Sequence, residues 1–146
     1  MGRLVAIDYG RVRCGVAVTD ILHITANALE TIPTRHIEDF IVNYCQREPV
    51  DKIIVGQPRT VKGEDSESMQ YIRPFVGKLN ASLPDIPVEM YDERFTSVLA
   101  HRAMIDGGMK KNERRNKANV DKIAACIILE DYIESSAFRE NRNNSN

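Results

Sequence analysis

The sequence contains few cysteines, and their spacing excludes two common uses of this residue. Among 146 residues there are three, Cys14, Cys45 and Cys126, and they form neither a C-x-x-C pair nor a zinc-ligand spacing. Each falls on a predicted apolar face, where small buried thiols are common, so we expect three buried and inert thiols. A chain of this length buries roughly 68–70% of the surface that its unfolded form exposes, so it can fold as one domain without disulfides or a structural metal.

The sequence also lacks a long hydrophobic segment. It has no N-terminal apolar stretch of the signal-peptide type and no run of about eighteen apolar residues. This pattern predicts neither secretion nor membrane spanning, so we expect no membrane partner and a location in the cytoplasm.

Three acidic residues that are far apart in the sequence each lie at the end of a predicted element. Asp8 ends the apolar run of residues 4–7, Glu93 follows the strand-like residues 88–91, and Asp121 opens a helix. If these ends converge, the carboxylates would repel one another unless cations neutralise them or a proton is shared. We therefore predict one pocket that binds Mg²⁺ or Mn²⁺.

Each of these acids also has a purely structural interpretation. Asp8 could simply initiate a turn, and Asp121 could be an ordinary first-turn acid that the helix dipole favours. Spacing does not decide whether Asp92 or Glu93 binds the metal, because alternation along a strand sends them to opposite sides. The other acid could then cap the following helix.

Neither sign of charge dominates the chain, but the basic residues are unevenly distributed. Lys and Arg number 20 against 21 Asp and Glu, so the formal net charge of -1 does not indicate a nucleic-acid partner. A basic run nevertheless lies just upstream of Asp121, opposed only by Glu113. Taken alone it is typical of a solvated loop, whereas beside a metal pocket it favours attraction of phosphate. The run consists of Lys110, Lys111, Arg114, Arg115 and Lys117.

The hydrophobic pattern predicts one mixed α/β sheet of five strands with helices on both faces. The predicted strands span residues 3–9, 14–19, 26–32, 51–56 and 86–91, and the predicted helices begin near Thr34, Met69, Ser97 and Asn119. Thr34 is the expected N-cap of the first helix, and Pro74 should kink the second or delay its start. The last helix is expected to end near Glu134. We expect one domain over residues 1–138 and a disordered tail over residues 139–146.

Four sequence blocks, in order, resemble the YqgF/RuvX family over residues 5–133. Residues 8–20 match D-x-G-x-x-R-x-G-V-A-x-x-D, residues 54–58 contain V-G-x-P with Gly63 beyond, residues 92–96 match D-E-R-x-T, and residues 120–125 match V-D-K-x-A-A. The departures are modest: Cys14 replaces an aliphatic residue, Gln57 replaces Leu or Met, and Pro74 interrupts a helix. None of them removes a carboxylate.

The family comprises pre-16S rRNA nucleases and Holliday-junction-resolvase-like proteins, and the resemblance implies a ribonuclease H-like fold. It assigns Asp8, Glu93 and Asp121 as the catalytic and metal-binding acids. Two Mg²⁺ or Mn²⁺ ions about 3.5–4 Å apart would then activate water and stabilise the leaving oxygen. Arg11, Arg13 and Arg94 are candidates to contact the scissile phosphate, and the basic run of residues 110–117 would hold the flanking strand.

The substrate that the resemblance implies is RNA, in 5′-end processing of pre-16S rRNA during ribosome biogenesis. Resolution of branched DNA is an alternative that needs a homodimer, and a non-catalytic nucleic-acid-binding module is another; a phosphotransferase ranks last. The motifs leave open a monomer or a homodimer, and endonuclease or exonuclease action.

Overall fold

The computed structural model describes residues 2–57, 67–92 and 117–144, with the side chains of the last segment described over residues 122–135. Five strands form one sheet in the order β3-β2-β1-β4-β5. β1 pairs antiparallel with β2 and parallel with β4, and β4 pairs parallel with β5. The predicted five-stranded mixed sheet is confirmed. The strands are β1 (Arg3–Asp8), β2 (Arg13–Thr19), β3 (Ala26–Pro33), β4 (Val50–Gln57) and β5 (Val88–Asp92).

Three α-helices accompany the sheet in the described part of the chain. They are α1 (Ile37–Arg47), α2 (Met69–Ser82) and α3 (Lys117–Asn144), and a short 3₁₀ turn, Thr34–His36, precedes α1. The helix expected near Ser97 and the loop with Gly63 lie outside the described residues. No described helix has the length and apolarity needed to cross a membrane.

One of the predicted helix ends was wrong. α2 begins at Met69, close to the expected start, and Pro74 lies inside it, so of the two expected effects of Pro74 the delayed start does not occur. α3 continues past Glu134, where it was expected to end, to Asn144, and the disordered tail over residues 139–146 stays a prediction. No glycine or proline occurs between Lys117 and Asn144, so no strong helix breaker ends the helix earlier. The domain boundary at residue 138 stays a prediction.

The core consists of two hydrophobic clusters on opposite faces of the sheet, because side chains alternate along each strand. From β1, Val5 and Ile7 pack with residues of α1 and α2, whereas Leu4 and Ala6 pack with residues of α3. β1 is therefore apolar on both faces, as a central strand covered by helices requires. The same alternation places Asp8 in phase with Leu4 and Ala6, on the face that α3 covers.

The cysteines are only partly as expected. Cys14 is fully buried, but Cys45 and Cys126 lie partly exposed at the edges of the two clusters. Desolvation raises the pKa of the Cys45 thiol. Desolvation, together with the nearby Glu130 carboxylate, raises the pKa of Cys126 to about 11. Both thiols therefore stay protonated near neutral pH and are poor nucleophiles, since reactivity requires the thiolate.

Candidate active site

Asp8 is the last residue of β1 and lies at the carboxyl edge of the parallel part of the sheet. Its side chain is buried, with 6% of its surface exposed. Ile7 pairs with Val55 of β4, so the strand register aligns the next residue, Asp8, with Gly56. Gly56 in turn pairs with Tyr91 of β5. The ends of three neighbouring strands therefore meet around Asp8. In open α/β sheets this edge is where ligands bind.

β5 ends at Asp92, directly before Glu93. Met90 packs with the cluster of α1 and α2, whereas Tyr91 packs with the cluster of α3. The Tyr91 hydroxyl also lies 3.0 Å from the Ser135 hydroxyl of α3. Alternation therefore places Asp92 in phase with Met90, on the face opposite to the one that Asp8 shares with α3. Glu93 lies outside the described residues, so its contact with Asp8 stays a prediction.

Asp121 lies in the first two turns of α3. Ala124, Ala125 and Ile128 follow it at three, four and seven positions, and all three are buried against the sheet. Residues at this spacing share one face of a helix. The backbone position of Asp121 thus belongs to the sheet-facing stripe of α3, and whether its carboxylate reaches Asp8 stays a prediction.

The three-acid metal pocket rests largely on side chains outside the described set. Among the described residues, no group of three His, Cys, Asp or Glu side chains is arranged to hold a metal ion. Of the three predicted ligands, the structure describes only the side chain of Asp8. The ligand set of Asp8, Glu93 and Asp121 therefore stays a prediction.

The turn that follows Asp8 is anchored by Thr34, from the start of the 3₁₀ turn. The Thr34 hydroxyl donates to the Gly10 carbonyl at 2.6 Å, and its backbone N–H donates to the Val12 carbonyl at 3.0 Å. A Cβ at Gly10 would lie 2.4 Å from the Arg13 carbonyl oxygen, so this turn excludes any larger residue there. The sequence predicted Thr34 as a helix N-cap, and that prediction is wrong. Its two hydrogen bonds instead fix this turn, and we call them the Thr34 clamp.

Thr34→Val should weaken this clamp. The substitution keeps the shape of the side chain but removes the only part of it that bonds Gly10, which we expect to cost about 1–2 kcal/mol of unfolding free energy. Urea unfolding measures the loss. Thr34→Ser is the matched control, since it retains the hydroxyl and should unfold close to the wild type. Equal stability of the Val and Ser variants would contradict the clamp.

The structure describes only a few of the predicted nucleic-acid contacts. Arg11 is exposed, and its guanidinium lies 4.8 Å from the centre of the Tyr71 ring and 4.0 Å from the Glu67 carboxylate. Arg13 opens β2 and is partly buried. Lys117 opens α3, but its side chain is not among those described. The other predicted contacts lie outside the described residues: Arg94, Lys110, Lys111, Arg114 and Arg115.

Asp20 ends the same motif that Asp8 begins, but it lies at the opposite edge of the sheet and orders the β2–β3 loop. One carboxylate oxygen accepts the backbone N–H groups of Ile24 and Thr25 at 2.8 Å each, and the other accepts that of Leu22 at 3.2 Å. These bonds, that from Thr25 foremost, lower the pKa of the Asp20 carboxyl. The second acid of the motif thus has a structural role.

The sequence is similar to known proteins along almost its whole length. Residues 2–135 match the family model described as RuvX, Holliday junction resolvase. The chain is 57% identical over 138 residues to the "Putative pre-16S rRNA nuclease" of Phocaeicola vulgatus, covering 94% of this chain and 99% of that protein. The protein of the same name from Bacteroides fragilis is 56% identical over 135 residues, covering 92% and 98% of the two chains.

The fold also has a solved counterpart. Thermus thermophilus RuvC in complex with a Holliday junction substrate matches with a TM-score of 0.58, covering 94% of this chain and 96% of that one. The two chains are 17% identical, so the likeness shows the fold alone. RuvC has a ribonuclease H-like fold, and the fold expected from the sequence is thereby confirmed.

Proposed function

We propose that this chain, which belongs to the RuvX family, is a metal-dependent nuclease that acts in 5′-end processing of pre-16S rRNA. Family membership supports hydrolysis of phosphodiester bonds, and the shared name of the similar proteins supports the RNA substrate. The observation that carries the metal-dependent chemistry is Asp8, a buried carboxylate where three strand ends meet. Processing of precursor rRNA also fits the cytoplasm.

The residues present fit a divalent metal. Carboxylate oxygens are the ligands that Mg²⁺ and Mn²⁺ prefer, and Asp8 supplies them at the expected edge. We assign Asp8, Glu93 and Asp121 as the ligands of a two-metal site.

The described neighbours support this choice of acids. Tyr91 faces α3, and side chains two positions apart on a strand share a face. Continued alternation therefore favours Glu93 over Asp92 as the acid on the face of Asp8. Asp121 occupies the same helical stripe as the buried Ala125. The proposal thus assigns all three acids to the side of the sheet that α3 covers.

Asp8, Glu93 and Asp121 would hold the metal ions, which would supply activation of water and stabilisation of the leaving oxygen when bound. Asp8 is buried, and in such surroundings charges interact more strongly than in bulk water. Arg11, exposed on the turn after Asp8, neutralises the phosphate that is cleaved, together with Arg13 and Arg94. The basic run of residues 110–117 holds the flanking strand.

A second candidate function is the resolution of four-way DNA junctions. It is favoured by the description of the matching family, and it requires the same phosphodiester chemistry. Two strands must be cut at one junction, so this function needs a homodimer with paired sites. Sedimentation at assay concentration distinguishes the two candidates, because a monomer that cleaves RNA contradicts the second one.

Removal of the metal should abolish cleavage. With Mn²⁺ or Mg²⁺, the chain is expected to shorten a 16S rRNA precursor that carries its 5′ leader, and excess EDTA should reduce the rate to background because the carboxylates alone activate no water. Denaturing gels of 5′- and 3′-labelled RNA measure the rate and separate endonuclease from exonuclease products.

A four-way DNA junction and RNA with mature ends are the comparison substrates. Added Mn²⁺ should restore cleavage of the precursor in the EDTA-treated sample. Cleavage that persists in EDTA would contradict the metal-dependent mechanism, and faster cleavage of the junction than of the RNA would establish the second candidate.

A further inference from the structure

A cleft of about 320 Å³ lies between the turn after Asp8, the start of α1 and the exposed side of α2. Aromatic and basic side chains line it, and its volume is at the lower end of the range for small-ligand sites. Tyr71 stands at its rim with 40% of its surface exposed. The lining side chains that matter here are Tyr9, Arg35, Gln70, Tyr71, Phe75 and Lys78.

The cleft and the proposed active site share one turn of the chain. Tyr9, which directly follows Asp8, forms part of the wall, and its ring centre lies 5.0 Å from that of Phe75. Thr34, which bonds the Gly10 carbonyl, lines the cleft as well. Side chains alternate along β1, so Tyr9 faces α1 and α2 whereas Asp8 faces α3. The cleft and Asp8 therefore lie on opposite faces of the sheet, and both are reached from the carboxyl edge where β1 ends.

The charges around the cleft favour an anion. Arg35 and Lys78 line it, and Arg11 lies over the Tyr71 ring at its rim. Among the residues that the structure describes, two carboxylates lie close to these three cations: Glu38 lines the cleft and accepts a hydrogen bond from the Ser82 hydroxyl at 3.1 Å, and Glu67 lies 4.0 Å from Arg11. In this part of the chain the three cations exceed the two carboxylates, which favours a phosphate.

We propose that this cleft is a subsite for one unpaired nucleotide of the substrate strand, which reaches it around the carboxyl edge of the sheet from the phosphate at Asp8. The base stacks on the aromatic wall at Tyr71 and Tyr9, and its phosphate contacts Arg35 and Lys78. Aromatic side chains bind any exposed base face, whereas a base inside a duplex has both faces covered by its neighbours. The subsite thus selects a single-stranded position in the strand that flanks the scissile bond. It rests on the proposed nuclease function.

The test uses a short RNA hairpin with a single-stranded 5′ leader, so that the stem fixes the register. One abasic nucleotide is moved along the leader, and binding is measured by fluorescence anisotropy in EDTA, which prevents metal-dependent cleavage. For the wild type, abasic substitution at one position of the leader should weaken binding about tenfold, as loss of one stacked base does. Other leader positions should have much smaller effects.

Tyr71→Ala should bind the intact RNA about tenfold more weakly, and the critical abasic position should then cause no further loss, because both changes remove the same stack. Tyr71→Phe should retain the wild-type profile. Lys78→Gln should reduce the slope of log affinity against log salt by about one phosphate contact. Leu22→Ala, an exposed apolar residue at the opposite edge of the sheet, is the control and should change nothing.

The subsite would be overturned if Tyr71→Ala bound the RNA with wild-type affinity and showed the same abasic profile as the wild type. It would also be overturned if no abasic position weakened binding of the wild type. Either result leaves the nuclease function standing if the RNA is still cleaved with Mn²⁺. Conversely, a sensitive position that depends on Tyr71, in a chain that cleaves no RNA with Mn²⁺, would support the subsite and contradict the nuclease function.

Discussion

Asp8→Asn is expected to lower the rate of precursor cleavage by at least about a thousandfold, equivalent to about 4 kcal/mol of barrier. Asparagine keeps the size and shape of the side chain but removes the negative charge that would hold the divalent ions. The backbone pairing of β1 with β2 and β4 does not involve the carboxylate, so the fold should remain intact. The loss should therefore concern chemistry and metal binding, with the sheet preserved.

Single-turnover cleavage with Mn²⁺ measures the rate, calorimetric titration with Mn²⁺ measures the metal affinity, and circular dichroism checks the fold. Asp85→Asn is the matched control, because Asp85 is exposed in the segment before β5, at the opposite edge of the sheet. It should cleave at the wild-type rate. If Asp8→Asn is as active as this control, Asp8 is no part of the catalytic centre.

Glu93→Gln should inactivate the chain as strongly as Asp8→Asn, whereas Asp92→Asn should retain most of the activity. The reason is the alternation of β5: Met90 packs toward α1 and α2, and Tyr91 packs toward α3, where Asp8 also faces. A loss of about a thousandfold for Glu93→Gln is the scale expected for a group that acts on the transition state through a metal. The two neighbouring acids form a matched pair, since each variant removes one charge without changing size.

The same single-turnover assay compares this pair. The opposite ranking, with Asp92→Asn inactive and Glu93→Gln active, would show that alternation does not continue past the end of β5. The metal centre would then include Asp92, and the assignment of Glu93 would be wrong.

The sheet and its two covered faces were predictable because their causes are local and periodic. β1 is apolar at every position from Leu4 to Ile7, which only a strand buried on both sides tolerates. The stripe of Ile37, Ile41 and Tyr44 repeats with the helical period, and all three residues are buried on α1. Such periodic patterns can be detected in the sequence alone, because they depend on the spacing of neighbouring residues and not on contacts with distant segments.

Contacts between distant segments were not predictable from these signals. Thr34 has the residue type of an N-cap, but its hydroxyl is bonded to Gly10, which is 24 positions away. Spacing likewise left Asp92 and Glu93 open as ligands, and the argument for Glu93 from alternation depends on the partners of Met90 and Tyr91, which only the packed sheet supplies. For Asp8 the sequence indicated the end of a strand. The structure added that the side chain is buried and that the strand register aligns Asp8 with Gly56 of β4 and Tyr91 of β5.

The order β3-β2-β1-β4-β5 means that the strand that comes first among the described elements becomes the middle of the sheet, whereas the helix that covers one of its faces comes last among them. On the proposed ligand set, a nascent chain that has left the ribosomal tunnel only as far as β5 carries Asp8 but neither Glu93 nor Asp121. The translating ribosome is itself built on the kind of RNA that the finished chain would cut. The polypeptide therefore reaches its first catalytically competent state only after Asp121 has been synthesised.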